Sequence, residues 1–401
     1  MIKRFLKAIG LVVTFGISLG SLYLVNLFFM KPISIDHYLG KELVIGLFDS
    51  PESMTYMGIF DKYNWITKHN SALSIPKHED LDEGINDAKK SLSVLSKYKD
   101  TSLTNNQKIT KKIAMFDIEN GLKQSEEFPY HDYPLNQVRG IHHNIISFMS
   151  DMHPVRTHDE AKDFIKRTDL AKDVYAGVLD GLQRQAAEGI FAPEFVYAHV
   201  IEQLNEMINY SFNEHPLYTQ FMKKAELLEI SKAELASLES KLILSIENSV
   251  TPGFILLRDF MVSTKNSANP HHGIWSQPNG DEFYKLRIRT YTTTDYSPQE
   301  IHEMGISEVA RISTRMKEIL VSLGYDANKT VGVLMNELNE DSSMLYDDTP
   351  DRKEIVLKDY TDMVNEATDA IKGYFHSMPK APVVVKAGPE YIEKTAPGGY
   401  Y

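Results

Sequence analysis

The chain has 401 residues, 42% of them hydrophobic and 24% charged, a composition typical of a globular protein with a sizeable core. Its net charge of -12 argues against a nucleic-acid partner, because phosphate binding depends on clustered lysine and arginine. The absence of cysteine from the sequence excludes disulfides, thiolate catalysis and cysteine-bound zinc, so a metal ligand here would be histidine, aspartate or glutamate.

A long uncharged segment comes first in the chain. Residues 8–30, AIGLVVTFGISLGSLYLVNLFFM, follow three basic residues and reach the ~20 residues that a helix needs to cross a bilayer. No convincing small-residue cleavage site precedes Lys31, which favours a retained anchor over a cleaved signal peptide. The basic residues place the N-terminus in the cytoplasm. We therefore predict a transmembrane anchor or signal at residues 1–32 and an exported helical body at residues 33–401.

Helical patterns dominate the first half of that body. Residues 82–98 have apolar side chains at mostly helical spacing between charged positions and predict an amphipathic helix. Thr157 and Glu160 form the pattern of a capping box, which predicts a helix start. Pro193 suits the first turn of another helix. The predicted core side of this last helix consists of Val196, Val200, Leu204, Met207 and Ile208.

The second half of the body is also predicted to be mainly helical. Residues 231–249 and 351–375 show helical apolar periodicity, and residues 283–294 favour a helix over a strand. A capping box at residues 297–300, with proline at the first helical position, predicts a helix that ends at Gly324. Only residues 383–385, three valines, predict a strand, because β-branched side chains fit a pleated sheet.

The pair His302–Glu303 has the first two residues of a zinc-binding helix motif. That motif needs a second histidine four residues after the first, so that both imidazoles leave the same helix face. Position 306 is isoleucine, and the predicted capping box lies directly before the pair. We therefore interpret His302 and Glu303 as polar residues of a first helical turn.

Other histidines and acidic residues give no specific signal. His199, Glu202 and Glu206 share one helix face and could bind a divalent ion, but such a face is more often only solvated. The pairs His142–His143 and His271–His272 are adjacent residues, which do not share a helix face. The sequence has no GxSxG, GxGxxG or phosphate-binding GxxxxGK[ST] motif, so the residues alone reveal no catalytic constellation.

One stretch is distinctive enough to indicate a family. Residues 273–316 contain a Pro-Asn-Gly turn, a tyrosine, a Thr-Thr-Thr-Asp run, Ser-Pro-Gln-Glu-Ile-His and Gly-Ile-Ser-Glu-Val. This order resembles the bacterial family called domain of unknown function 885, with Ile306 in place of the family's leucine. Residues 133–167, 181–196 and 375–401 resemble its flanking segments, so the resemblance covers nearly all of the chain after the predicted anchor. The family-motif positions proposed to lie at a cleft are Asn279, Tyr284, Thr293, Asp295, His302, Tyr400 and Tyr401.

The resemblance implies a large irregular helical array like the helical part of zinc peptidases, with a short β segment near the C-terminus. It also implies hydrolysis of peptides or related amides, with zinc as the metal of intact members. The family's metal motif, a His-Glu pair followed by Pro-Gly-His-His, lies downstream of its Tyr-Tyr segment and does not occur in these 401 residues. No metal ligand or general base can therefore be carried over from the family, the catalytic residues stay unknown, and we expect no zinc in this chain, which would correspond to about the first two thirds of a family member.

Two classes of function remain. The first is a membrane-anchored, metallopeptidase-like protein, inactive alone because the chain is a truncated, split or frameshifted product, with its body outside the bacterial inner membrane. In one form of this interpretation, a separate C-terminal catalytic segment docks onto the chain, and intact relatives act on peptides. The second class is a non-catalytic helical module that binds a peptide or protein.

Overall fold

A computed structural model describes residues 2–388, with side chains from Thr14 onward. Within this range every regular element is helical, apart from an isolated bridge between Pro193 and Asn269. The mainly helical character expected from the sequence is confirmed. The chain divides into two compact units, Met1–Thr294 and Asp295–Tyr401.

The helices are numbered along the chain. The first unit contains α1 (Ile2–Phe29), α2 (Ile35–Phe48), α3 (Pro51–Met57), α4 (Asn64–Thr67), α5 (Glu79–Ser96), α6 (Asn105–Glu127), α7 (Ile141–Ser147), α8 (His158–Asp169), α9 (Ala171–Ala187), α10 (Glu194–Asn209), α11 (Pro216–Ala225), α12 (Lys232–Ser245), α13 (Thr251–Thr264) and α14 (Gly280–Thr292). The second unit contains α15 (Pro298–Ser322), α16 (Val331–Glu340) and α17 (Arg352–Ala370).

The main core of the first unit is built by α7 to α13. Their apolar positions recur every three or four residues, so each helix turns one face inward, and α13 packs against both α9 and α10. Burial of one large apolar side chain stabilises the folded state by about 1.5–3 kcal/mol. Fully buried members of this core include Phe164, Tyr175, Val200, Leu204, Phe221, Leu242, Phe254 and Leu257.

A proline interrupts the longest helical stretch of this core. Pro252 has no N–H to donate, and its ring would clash with a carbonyl one turn earlier in a regular α-helix. The chain widens into one π turn over Ile246–Val250 before α13 continues. The Ser249 hydroxyl in this turn donates to the Asp169 carbonyl at 2.6 Å and accepts from the Lys172 N–H at 2.9 Å. The π turn thereby holds the junction of α8 and α9.

The second unit has a much smaller interior. Of the large apolar side chains that the structure describes after Thr294, only Leu320 on α15 and Leu334 on α16 are buried. The predicted capping box at the start of α15 is confirmed, since Ser297 and Glu300 each bond the other's backbone. Gly324 follows the end of this helix with a φ of 97°, which glycine adopts without steric cost.

Most predicted helices are confirmed, with shifted ends. They correspond to α5, α10, α12, α14 and α17, and the core side predicted for α10 is buried except for a partly buried Ile208. The capping box predicted at Thr157 is half correct. Thr157 accepts from the Glu160 N–H at 3.2 Å, but the Glu160 carboxylate accepts instead from the Arg156 N–H at 2.6 Å. The Glu160 carboxylate binds the guanidinium and the N–H of Arg156, so it does not reach back to the N–H of Thr157.

Two parts of the predicted fold are wrong. None of the helices in the described part of the chain is long and apolar enough to cross a membrane. The predicted strand at residues 383–385 has no regular secondary structure, and no other described segment is a strand that could pair with it.

Candidate functional site

The family-motif residues cluster around α14, whose two ends have strained backbone. Asn279 precedes the helix with a φ of 53°, and Thr293 follows it with a φ of 55°. A left-handed conformation is uncommon for asparagine and a clear outlier for a β-branched threonine, and such strain concentrates at functional sites. A 13-residue helix is about 20 Å long, so these two positions do not converge on one reacting atom.

The loop before α14 is held rigidly by hydrogen bonds to the rest of the first unit. The Gln277 amide donates to the Tyr133 hydroxyl, and His131 Nε2 lies 2.7 Å from the Pro278 carbonyl oxygen and donates to it. Gly280 is required here, because a Cβ on it would lie 2.0 Å from the carbonyl oxygen of Ile274. The loop is therefore fixed, with Trp275 exposed on its surface.

The remaining predicted site residues are dispersed. Tyr284 is half-exposed on α14, whereas Asp295 and His302 belong to the second unit. Tyr400 and Tyr401 lie outside the described residues. The assignment of these positions to a cleft stays a prediction.

The His302–Glu303 pair lies on the exposed first turns of α15. The Glu303 carboxylate accepts a hydrogen bond of 2.8 Å from the Gln299 amide one turn earlier. Within the described residues, no group of three or more histidine, aspartate or glutamate side chains is arranged to hold a metal ion. The described residues therefore offer no donor set that could hold the zinc implied by the family resemblance.

The pair His142–His143 at the start of α7, to which the sequence reasoning gave no specific role, forms a cluster in which His142 is fully buried. The rings of His142 and His143 lie 4.3 Å apart, and His142 Nε2 lies 3.2 Å from the Gln203 amide oxygen on α10 and donates to it. Burial, reinforced by His143, lowers the pKa of His142 to about 3, so its ring is neutral at physiological pH. His142 Nδ1 and His143 Nε2 have no hydrogen-bond partner among the described residues. Adjacent histidines reach one cluster here because Gln203 on α10 interacts with both of them.

The face of α10 predicted to bind a divalent ion consists of His199, Glu202 and Glu206. Of these, Glu206 interacts with the His142–His143 cluster. Glu206 raises the pKa of His143, but burial outweighs that effect and the pKa is lowered overall. His199 is exposed, and its Nδ1 donates to the Phe195 carbonyl at 2.7 Å. The three side chains of this face therefore do not act together.

A buried guanidinium, Arg167 on α8, organises a second polar cluster. Its Nη2 donates to the Thr55 hydroxyl at 3.0 Å and to the His69 carbonyl, and its Nε donates to the Ala72 carbonyl at 2.7 Å. Burial lowers the pKa of Arg167 to about 10, which leaves it protonated at neutral pH. Arg167 therefore fixes the chain between α4 and α5 to the main core.

The polar side chains of the segment from α3 to residue 70 face the same cluster. Asn64 donates to the Asp163 carboxylate at 2.8 Å, and His69 Nε2 lies 3.5 Å from Asp61. Burial lowers the pKa of His69 despite the nearby Asp61, so this contact joins a neutral imidazole to a carboxylate and is too long for a good hydrogen bond. No motif in the sequence indicated this cluster, since its members are spread from residue 55 to residue 167.

These features define a mainly helical protein with buried polar clusters. A small pocket of about 10 Å³ beside Tyr133 and Gln185 has room for roughly one water molecule. A profile of the family described as bacterial protein of unknown function, DUF885, matches residues 51–401, so the chain belongs to that family. The family resemblance drawn from the motifs around α14 is thereby confirmed.

Two solved structures share the fold. One is a candidate lipoprotein from Colwellia psychrerythraea, at 25% identity and a TM-score of 0.80. The match covers 90% of this chain and 64% of the Colwellia protein. The other is a candidate lipoprotein of unknown function from Shewanella oneidensis, at 13% identity and a TM-score of 0.58, which covers 89% of this chain and 61% of that chain. This chain therefore spans less than two thirds of the length of either relative. No curated protein matches it.

Proposed function

We propose that this chain is the helical scaffold of a metallopeptidase-like protein, and that its second unit binds a further polypeptide which supplies the catalytic residues. The observation that carries this proposal is an apolar helix surface in the second unit that nothing in the described residues covers. We place this scaffold at the bacterial cell envelope, because both solved relatives are described as lipoproteins.

The uncovered surface is best defined on α15. An apolar stripe runs along the helix at steps of three and four residues, interrupted by Gly305 between Ile301 and Val309. The helix packs with α16, and Leu320 is the only buried member of the stripe. Val309 and Ile312, farther from that packing, are exposed. A stripe of this regularity normally packs against another helix. The members of the stripe are Ile301, Val309, Ile312, Met316, Leu320 and Leu323.

The helix α17 repeats this arrangement. Ile355, Tyr360 and Met363 are all exposed, and no side chain of the helix is buried. Each of these two amphipathic helices has an uncovered apolar face suited to an amphipathic helical partner.

The solved relatives suggest the occupant. More than a third of the Colwellia psychrerythraea protein has no counterpart in this chain, since only 64% of it is covered. Polypeptide of that kind would cover the stripes of α15 and α17 and would bring the histidines and acidic residues that the described part of this chain does not assemble. The alternative, a binding module for an unrelated peptide, needs the same surface but predicts no hydrolysis.

Binding and hydrolysis can be tested separately. The probe is the part of the Colwellia psychrerythraea protein that this chain does not cover, produced as a separate polypeptide and titrated into the purified chain by calorimetry. We expect a one-to-one complex, weakened at least about tenfold by Val309→Glu, because a charge on the stripe would be buried without a partner. The matched control Thr314→Glu places the same charge on the opposite face of α15 and should leave binding unchanged.

Hydrolysis of a peptide library in zinc-containing buffer should appear only when both polypeptides are present. A folded, monodisperse chain that does not bind the probe would contradict the proposed docking, as would equal losses in the two variants. Hydrolysis by the chain alone would contradict the proposal that a further polypeptide supplies the catalytic residues. Binding without hydrolysis would favour the simple binding module.

A further inference from the structure

The segment from α3 to α4, residues 56–66, has an exposed apolar surface that is independent of the one in the second unit. Trp65 is 76% exposed, and five other large apolar side chains of this segment are more than half exposed. Together they form one patch within eleven residues, larger than the scattered apolar side chains found on most surfaces. The patch consists of Tyr56, Met57, Ile59, Tyr63, Trp65 and Ile66.

Two polar side chains of this segment, Asp61 and Asn64, face the body of the first unit, which reverses the usual pattern of burial. Asn64 donates to Asp163 at 2.8 Å and accepts from the Asn70 N–H at 3.0 Å. The Asp61 carboxylate accepts from Arg156 at 2.6 Å, and the side chain of Asp61 is only 17% exposed. A segment folded by its polar side chains leaves its apolar side chains facing outward.

This outward display is built into the fold rather than a consequence of loose packing. Arg167, buried behind the segment, holds the carbonyl groups of His69 and Ala72. Thr55 donates to the Asn70 side chain at 2.8 Å. Turning the apolar side chains inward would break these buried hydrogen bonds and leave their groups without partners, which opposes such a rearrangement. The patch is therefore preorganised for a contact.

The patch has a basic rim although the whole protein is acidic. Lys62 and Lys68 are exposed, and the acidic residue within residues 56–68, Asp61, is ion-paired with Arg156. The two exposed charged side chains of residues 56–68 are thus cationic, in a chain with a net charge of -12. Such a local reversal of sign favours a partner whose surface is anionic.

We propose that residues 56–66 dock on an anionic lipid surface at the level of the headgroups. Tyrosine and tryptophan favour the boundary between water and acyl chains, because each has an apolar ring and a hydrogen-bonding group. Ile59 and Ile66 enter the outer part of the acyl region, and Lys62 and Lys68 contact lipid phosphates. The contact is peripheral and requires no helix that crosses the bilayer. It concerns the first unit and is independent of the proposed binding of a polypeptide by the second.

The fluorescence of Trp65 gives a local test on the full chain. The protein has two tryptophans, so Trp275→Phe leaves Trp65 as the only reporter. Vesicles of phosphatidylglycerol and phosphatidylethanolamine should shift the Trp65 emission to the blue, and brominated acyl chains should quench it. Pure phosphatidylcholine vesicles should give a weaker response, as should high salt, because both remove the attraction of the basic rim.

A matched pair of variants then locates the contact. Ile59 and Ile109 are each 58% exposed, and Ile109 lies on α6, outside the patch. Ile59→Asp should weaken vesicle partitioning at least about tenfold, because an apolar side chain in the acyl region is replaced by a charge, whereas Ile109→Asp should not change it. Lys62→Gln should weaken partitioning about fivefold on anionic vesicles only.

The outcomes separate the alternatives. Absence of a Trp65 response, or equal partitioning of the two aspartate variants, would overturn the proposal, since either result means that the patch does not contact lipid. Capture of a polypeptide at Trp65 without a vesicle response would likewise assign the patch to a protein partner. The polypeptide titration described for the second unit tests different residues, so its failure would leave this result intact.

Discussion

The two units of this protein share one sequence pattern but differ in what that pattern buries. In the first unit the apolar stripes of α8, α9, α10 and α13 meet one another and produce a core with fully buried aromatic side chains. In the second unit the stripes of α15 and α17 are as regular, yet only Leu320 and Leu334 are buried among its described residues. Periodicity therefore indicates which face of a helix should be covered, but it does not show that a cover is present.

The largest expected effect tests the polar centre of the first unit. Arg167→Met should lower the free energy of unfolding by about 3–5 kcal/mol, because several backbone and side-chain acceptors lose a buried charged donor. Denaturant unfolding followed by circular dichroism measures this. Arg184→Met, which breaks an exposed ion pair with Asp180, should cost less than about 1 kcal/mol. Equal losses would mean that the buried cluster contributes no special stability.

Acid should selectively weaken the first unit. Burial lowers the pKa of His142 to about 3 and the pKa values of His153 and His215 to about 4, below the ordinary 6.5 of the unfolded chain. The unfolded state therefore binds more protons, and stability present above pH 6.5 is lost as the pH falls towards 4. At pH 5 the loss is on the order of 2 kcal/mol per histidine.

Unfolding by urea at pH 7.5 and pH 5 measures this loss. His142→Gln, which keeps an amide donor near Gln203, should reduce the difference in stability between the two pH values by about 2 kcal/mol. His199→Gln, at an exposed position, should leave that difference unchanged. If both variants behave alike, burial of His142 does not control the acid sensitivity.

Two glycine substitutions sharpen the comparison, because they should have opposite signs. A Cβ on Gly253 in α13 would lie 2.3 Å from the Tyr175 ring, so Gly253→Ala should destabilise the first unit by about 1–3 kcal/mol. A Cβ on Gly305 in α15 meets no atom within 4 Å, so Gly305→Ala should stabilise that helix by about 0.5–1 kcal/mol. Thermal unfolding distinguishes the two. A similar loss at both positions would show that the second unit is as tightly packed as the first.

An effect of similar size to that at Gly305 concerns a single hydroxyl. Tyr175 is fully buried between α9 and α13, its hydroxyl has no hydrogen-bond partner in the part of the chain described, and burial raises its pKa. Tyr175→Phe should therefore raise the free energy of unfolding by about 1 kcal/mol, since the folded state no longer pays for a dehydrated hydroxyl. A loss of stability would instead indicate an unseen hydrogen bond, such as one to a trapped water.

Prediction from the sequence succeeded for local features and failed for assembled ones. The capping box at Ser297 and the helix of residues 283–294 depend on neighbouring residues, and both are confirmed. The strand of three valines failed because a strand also needs a partner, which the sequence pattern does not contain. The candidate site residues also divide into those recognised from local motifs and those brought together from distant segments. The motif residues were assigned from local resemblance, but His142 with Gln203, and Arg167 with Thr55, come from segments 61 and 112 residues apart.

The sequence by itself determined the helical class, most helix positions and the family of this protein, because caps, periodicity and motif order involve residues close together in the chain. Tertiary structure alone decided which stripes are covered, which histidines are neutral at physiological pH, and that the segment of residues 56–66 turns Asp61 and Asn64 inward. Those outcomes depend on burial and on hydrogen bonds between distant segments, whose free energies exist only once the helices have packed.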